Sequence, residues 1–477
     1  MKKNTNNSTI TNFMWRFTER TAAQLVAFVV SIILARILAP ECYGTIALVT
    51  VFTTILQVFV DSGLGTALIQ KKDADDLDFS SVFFFNMVMC IVLYIGMFIA
   101  APYIATFYND EELTPIIRFI SLTIIISGVK GIQQAYVSRN MLFKRFFFST
   151  IGGTVISAVV GIYLAYAGYG VWALAVQQIS NAFVDTLILW LTVRWRPKMM
   201  FSWPRLKSLL KFGWKLLVSA LLDTVYSNLR NLIIGKRYTS ADLAYFDQGD
   251  KLPKAIVTNI NVSIDSVLLP TMSKVQDKTE AVRTLTRRAI RISVYIVAPL
   301  MIGFACCADS LVSLVLTDKW LPCVPFIRIL CVSYLFWPIH TANLNAIKAV
   351  GRSDIFLKLE VIKKVIGLAL LLSTMWFGVK IIAYGLLVEC LLGQIVNTWP
   401  NKKLLHYGYV DQIRDIAPSI LLAMIMGVAV YFIGLISMPD ILKVVIQIIS
   451  GIVIYVSGSG VFHMKEFEYL IKKLRKK

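Results

Sequence analysis

The chain has 477 residues, of which 57% are hydrophobic and only 16% charged, with a formal net charge of +20 and a mean hydropathy of +0.69. Soluble domains carry about 25% charged and about 45–50% apolar residues, so a soluble enzyme is excluded, and so is a disordered or fibrous chain. The composition is that of an all-α integral membrane protein.

Residues 1–13 are polar and carry no cleavable leader pattern, so the first apolar stretch is expected to be retained. About fourteen apolar stretches follow, each near the ~20 residues that a ~30 Å hydrocarbon core requires. They fall at 16–38, 44–69, 81–105, 115–136, 148–167, 171–194, 212–235, 243–270, 289–316, 324–346, 356–377, 380–399, 416–436 and 441–462. None alternates in polarity as barrel strands do, so helices are predicted. Roughly a dozen residues remain for each connection, far below the ~50 of a separate domain.

The connections are unequal in charge. Those on one side hold roughly thirty lysines and arginines, whereas the other side holds Lys236, Arg237, Lys319, Lys380 and Lys443. So lopsided a split predicts both termini in the cytoplasm. It also accounts for the positive charge without nucleic acid, for which no soluble module exists. Between the sixth and seventh stretches, Ser202-Trp203-Pro204 reads as a helix start, and an interfacial linker helix is expected over 196–211.

Weak self-similarity relates the halves. Ala67-Leu68-Ile69 lies over Val267-Leu268-Leu269, and Pro115-Ile116-Ile117-Arg118 over Pro325-Phe326-Ile327-Arg328. The predicted organisation is a six-helix lobe (1–195), the linker (196–211), a second, parallel six-helix lobe (212–400), and two further helices with a basic tail (401–477). Parallel repeats of this kind are a transporter architecture, with substrate between the lobes.

Charges within spans cost about 2.5–3.5 kcal/mol at the bilayer centre, so their placement is informative. They gather in the first, second, seventh and eighth spans. Arg16, Arg20 and Gln24 share one helical face, as do Ser219, Asp223, Ser227 and Arg230, and also Asp247, Lys251, Lys254, Thr258, Asn261 and Asp265. Three such faces predict a wet, electropositive chamber suited to an anionic group such as a pyrophosphate. Arg36, Arg118 and Arg328 are expected to reach lipid phosphates, and Glu360 to pair with Lys364. Glu389 and Asp185 lie mid-span without an evident partner and are candidate proton or Na⁺ sites. The seven cysteines and three histidines form no ligand pattern, so neither a metal nor another cofactor is expected.

The run Leu34-Ala35-Arg36-Ile37-Leu38-Ala39-Pro40, followed by Tyr43-Gly44 and Asp61-Ser62-Gly63-Leu64-Gly65, resembles the polysaccharide transporter family of the multidrug/oligosaccharidyl-lipid/polysaccharide flippase superfamily. Gly170-Val171-Trp172, Trp195-Arg196-Pro197 and Tyr245-Phe246-Asp247-Gln248-Gly249-Asp250-Lys251 extend the likeness. The resemblance implies a flippase of the bacterial cytoplasmic membrane that moves undecaprenyl-pyrophosphate-linked oligosaccharide by alternating access, coupled to H⁺ or Na⁺. It also implies association with polysaccharide polymerase and glycosyltransferases. On this reading Arg16, Arg20, Lys215, Arg230, Lys251 and Lys254 bind the pyrophosphate and first sugars, and Asp61, Asp223 or Asp265 is the ion-linked acid. No catalytic residue is assigned. The rivals are a multidrug/cation antiporter, which calls for an acidic aromatic cavity, and a membrane-embedded polymerase, which calls for a large outer loop or a carboxylate/His constellation.

Overall fold

The computed structural model describes residue 18 and residues 22–61 and 63–475. Among them are helices and no strand. The helices are α1 (Ala22–Ile37), α2 (Pro40–Asp61), α3 (Leu64–Gln70), α4 (Asp76–Tyr108), α5 (Leu113–Ile120), α6 (Leu122–Arg139), α7 (Phe143–Tyr166), α8 (Val171–Thr192), α9 (Trp203–Arg237) and α10 (Ser240–Ser273). There follow α11 (Thr279–Cys306), α12 (Ala308–Leu316), a 3₁₀ segment (Asp318–Cys323), α13 (Val324–Leu335), α14 (Trp337–Ala349), α15 (Ser353–Thr374), α16 (Val379–Leu405), α17 (Tyr409–Gly434), α18 (Asp440–Val461) and α19 (Lys465–Arg475). Each predicted stretch meets one helix or two laid end to end. Among the described residues, eleven helical runs are long and apolar enough to cross a membrane, and the chain is a multi-pass membrane protein. α9 and α15 are long enough but carry Lys215, Asp223 and Arg230, and Lys358, Glu360, Lys363 and Lys364, respectively.

Where a predicted stretch divides, the local residues give the reason. The second breaks at Gly63, whose φ of 69° lies in the left-handed region that glycine enters at no steric cost. The break ends α2 at Asp61. The tenth breaks before Trp337-Pro338, where proline opens α14. α4 begins at a capping box: Asp75 Oδ1 accepts from the Asp78 amide at 3.1 Å, and Asp78 Oδ2 accepts from the Asp75 amide at 3.3 Å.

Packing divides the chain into two compact units, Met1–Ala244 and Tyr245–Lys477. The division therefore falls inside α10 rather than at the 196–211 linker. The linker does not form a separate helix: its second half is the start of α9, which runs without a break from Trp203. Leu206 and Leu209 are buried in a cluster with Leu68, Phe79, Phe146 and Trp195, and α9 packs on α2, α3 and α4. Leu206 and Leu209 thus turn toward protein, while Trp203, Lys207 and Lys211 stay exposed.

In the first unit the most extensive pairing is α7 on α8. Gly153, Ser157 and Gly161 recur at every fourth residue of α7, the small-residue spacing by which membrane helices approach closely. A Cβ at Gly153 would lie 2.9 Å from Asp185 Cβ, and one at Gly161 would lie 3.0 Å from Gln177 Cβ. Tighter still, a Cβ at Gly44 of α2 would sit 1.7 Å from the Ser240 carbonyl oxygen. In the second unit α11 packs on α17, α17 on α18 and α15 on α16.

Candidate functional site

The first cluster stands at the α2–α3 break. Asp61 occupies the last turn of α2, where its carboxylate faces the negative end of the helix macrodipole. Gln57 donates to it at 3.3 Å, and Lys130 of α6 lies within electrostatic range. Lys130 itself forms an ion pair with Asp185 of α8. Asp185 is only 7% exposed, and its second carboxylate oxygen has no hydrogen-bond partner. Asp185 is therefore partnered, contrary to the sequence reading, and Lys130 is the residue that reading missed. A lone lysine in one span and a lone aspartate in another, 55 positions apart, was the available signal.

The second cluster lies on α10. Lys251 pairs with Asp247 at 2.5 Å and Lys254 with Asp250 at 3.3 Å, both one turn apart on the same helix. The acids turn inward, with Asp250 also accepting from the Tyr334 hydroxyl. The amines turn outward, at 60% and 51% exposed. Two exposed ammonium groups on a membrane-spanning helix can offer charge-assisted hydrogen bonds to an anion. Asp265 lies eleven residues further along α10, about 16 Å of helical rise from Lys254, and accepts from Asn345 Nδ2 at 2.8 Å. It is not gathered with the lysines.

On α9, Lys215 and Asp223 are exposed and Arg230 is half-buried. Arg16 and Arg20 lie outside the described residues. Arg118 stacks 4.0 Å above the Phe98 ring and donates to the Phe98 carbonyl at 3.2 Å, and Arg328 pairs with Asp309, so both have protein partners. Glu360 pairs with Lys363 at 2.6 Å.

The second unit adds two features that charge alone does not reveal. An apolar groove of about 480 Å³ is lined by α11, α17 and α18, with Leu300, Phe304, Val430, Ile448 and Ile452 among its walls. Deeper, Asn343 and Gln412 exchange hydrogen bonds at 3.0 and 2.9 Å, Asn401 donates to Asn343 Oδ1 at 2.8 Å, and Thr398 donates to Gln412 Oε1 at 3.2 Å. This neutral cluster is fully buried.

Outside the spans, many basic residues are structural. Lys71 pairs with Asp78 at 2.6 Å, and Arg205 bridges both Asp75 oxygens at 2.7 Å. The Arg205 guanidinium holds the Asp75 carboxyl at about 2, below the ordinary carboxylate range.

Residues 33–325 match the profile of the family described as polysaccharide biosynthesis protein. The chain belongs to that family. It is 23% identical over 415 residues to the teichuronic acid biosynthesis protein TuaB of Bacillus subtilis, covering 84% of this chain and 85% of the relative. It is 25% identical over 374 residues to the lipopolysaccharide biosynthesis protein WzxC of Escherichia coli, covering 77% and 74%. Its fold matches that of the lipid II flippase MurJ in an inward closed conformation, with a TM-score of 0.77 at 13% identity over 94% of this chain and 99% of that one. This family member thus has the multi-span helical fold of a membrane transporter.

Proposed function

We propose that the chain is a flippase that moves an undecaprenyl-pyrophosphate-linked oligosaccharide across the bacterial cytoplasmic membrane, with both termini in the cytoplasm. The observation that carries this reading is the pair of outward-turned amines, Lys251 and Lys254, on a helix that spans the membrane. A purely structural ion pair has no need to leave its cation exposed at such a depth, where charge is expensive. A pyrophosphate supplies the missing acceptor oxygens.

The apolar groove of α11, α17 and α18 suits the polyprenyl chain, because it offers hydrocarbon walls in the same unit as the two lysines. Lys215 and Arg230, with Arg16 and Arg20, extend the basic set toward the first sugars. Alternating access presents these groups to one leaflet and then the other. Coupling to H⁺ or Na⁺ is assigned to the acids Asp61, Asp223 and Asp265. An acidic drug-binding cavity is disfavoured by the exposed amines, and a polymerase by the short connections.

Lys254→Ala and Asp223→Asn test the reading in a cell whose surface polysaccharide depends on this protein. Both variants are expected to abolish surface polysaccharide while leaving the amount of membrane-inserted protein unchanged. Unchanged polysaccharide in both would overturn the assignment of these faces to the substrate.

A further inference from the structure

We propose that Asp61, Lys130 and Asp185 form a proton-binding triad within the first unit, in which Lys130 changes partner from Asp185 to Asp61 as Asp185 takes up a proton. The proposal rests on the flippase reading for its consequence, coupling, but not for the proton binding itself.

Charge counting is the starting point. With all three groups ionised the triad carries one ammonium and two carboxylates, hence one excess negative charge. Asp185 is buried with one unpartnered oxygen, and Asp61 lies against the negative end of α2. A single lysine cannot neutralise both. Asp61 is exposed, so the low-dielectric demand for one further cation falls on the buried Asp185. The ammonium already present repels a metal ion, and one orphan oxygen is a poor coordination shell, so the cation is a proton.

The surroundings allow both the movement and the supply. Asp61 ends a helix interrupted at Gly63, and interrupted helices are where membrane transporters place ions. On α8, Asn181 precedes Asp185 by one turn and lines a cavity of about 120 Å³ whose walls also include Ser31, Tyr43, Thr154, Ser157 and Gln177. The cavity is roomy enough for water, and these hydroxyl and amide groups, set among the apolar Ala27, Val30, Leu34 and Leu174, offer it hydrogen-bond partners. Two further titratable groups lie nearby: Cys90 of α4, which Asp61 influences electrostatically, and Tyr43 of α2, which lines the cavity with Asn181. Neither carries a charge of its own at neutral pH.

The step balances simply. A hydronium ion delivered by water gives its proton to the unpartnered oxygen of Asp185, leaving water and a carboxylic acid. Lys130 keeps its three protons, leaves Asp185 and pairs with Asp61. The triad passes from a net charge of −1 to zero, one O–H bond having broken on the hydronium ion and one having formed on Asp185.

Two measurements test it, using wild type and Lys130→Gln/Asp185→Asn, a double variant that removes the buried charges together and so leaves neither unpaired. The first is a pH-difference infrared spectrum of each purified protein, which needs no substrate. Wild type is expected to gain a protonated-carboxyl band on acidification that the double variant lacks. Identical spectra, or a wild-type band abolished by Na⁺ at constant pH, would overturn the triad. The second reconstitutes both proteins with undecaprenyl-pyrophosphate oligosaccharide and reads its distribution between leaflets under an imposed pH gradient. One coupled proton shifts that ratio about tenfold per pH unit in wild type and not in the variant. A variant that keeps the shift overturns the proposal. Absence of flipping by wild type defeats the flippase reading instead, and the infrared result still decides the triad.

Discussion

Each unit buries a polar cluster, and the two clusters differ in charge. The first buries a charged pair, Lys130–Asp185, with an acceptor oxygen left open. The second buries neutral amides, Asn343, Asn401 and Gln412 with Thr398, each donating to another across α14, α16 and α17. A neutral network changes little with pH and pins helices in register. A charged pair is costly to keep and responds to any proton or ion that alters its balance. The amide cluster of the second unit therefore reads as a fixed scaffold, and the Lys130–Asp185 pair of the first as a place where an ionic event can be registered.

The contrast can be broken most forcefully in the first unit. Asp185→Leu leaves Lys130 without its buried partner and is expected to destabilise the protein by about 3–5 kcal/mol, seen as a lowered unfolding temperature in detergent. The charge-free double change Lys130→Met/Asp185→Leu should recover most of that loss, because a well-packed apolar pair often equals a buried ion pair. Failure to recover would mean that the pair acts through shape rather than charge. In the second unit, Asn343→Leu strands donors on Asn401 and Gln412 and should cost about 1–3 kcal/mol, equally at mildly acid and neutral pH. A strong pH dependence there would erase the distinction.

The smallest expected effect lies outside the spans. Arg205→Ala should let the Asp75 carboxyl rise from about 2 toward the ordinary ~3.9, which carboxyl-carbon NMR can follow. Because the folded value is the lowered one, the contribution of the pair is complete above ~3.9 and is lost as pH falls through about 2. Both groups are solvent-exposed, so global stability near neutral pH should hardly move.

Much of this molecule was legible in advance. Membrane spans announce themselves because a lipid-exposed backbone must be helical and its side chains apolar, and every predicted stretch meets a helix. Polar spacing on α10 set Asp247, Lys251 and Lys254 on one face, whereas the acids turn inward and only the amines are exposed. What escaped was pairing at a distance. Lys130 sits among Gly128, Gly131 and Gln133 in a weakly apolar helix, and nothing local links it to Asp185. The amide cluster escaped because asparagine and glutamine carry no charge to mark them as expensive. The linker leucines fit either a lipid surface or a protein groove, and only packing shows that Leu206 and Leu209 are buried against protein.

The central claim is that the lysines of α10 hold the pyrophosphate of a lipid-linked sugar during its passage. Reconstituted wild type and Lys251→Gln/Lys254→Gln, compared for transfer of undecaprenyl-pyrophosphate oligosaccharide between leaflets, test it most directly. Transfer by wild type should fall about tenfold or more for each lysine removed, since a charge-assisted hydrogen bond contributes about 1.5–3 kcal/mol. Equal transfer by the two proteins would contradict the account.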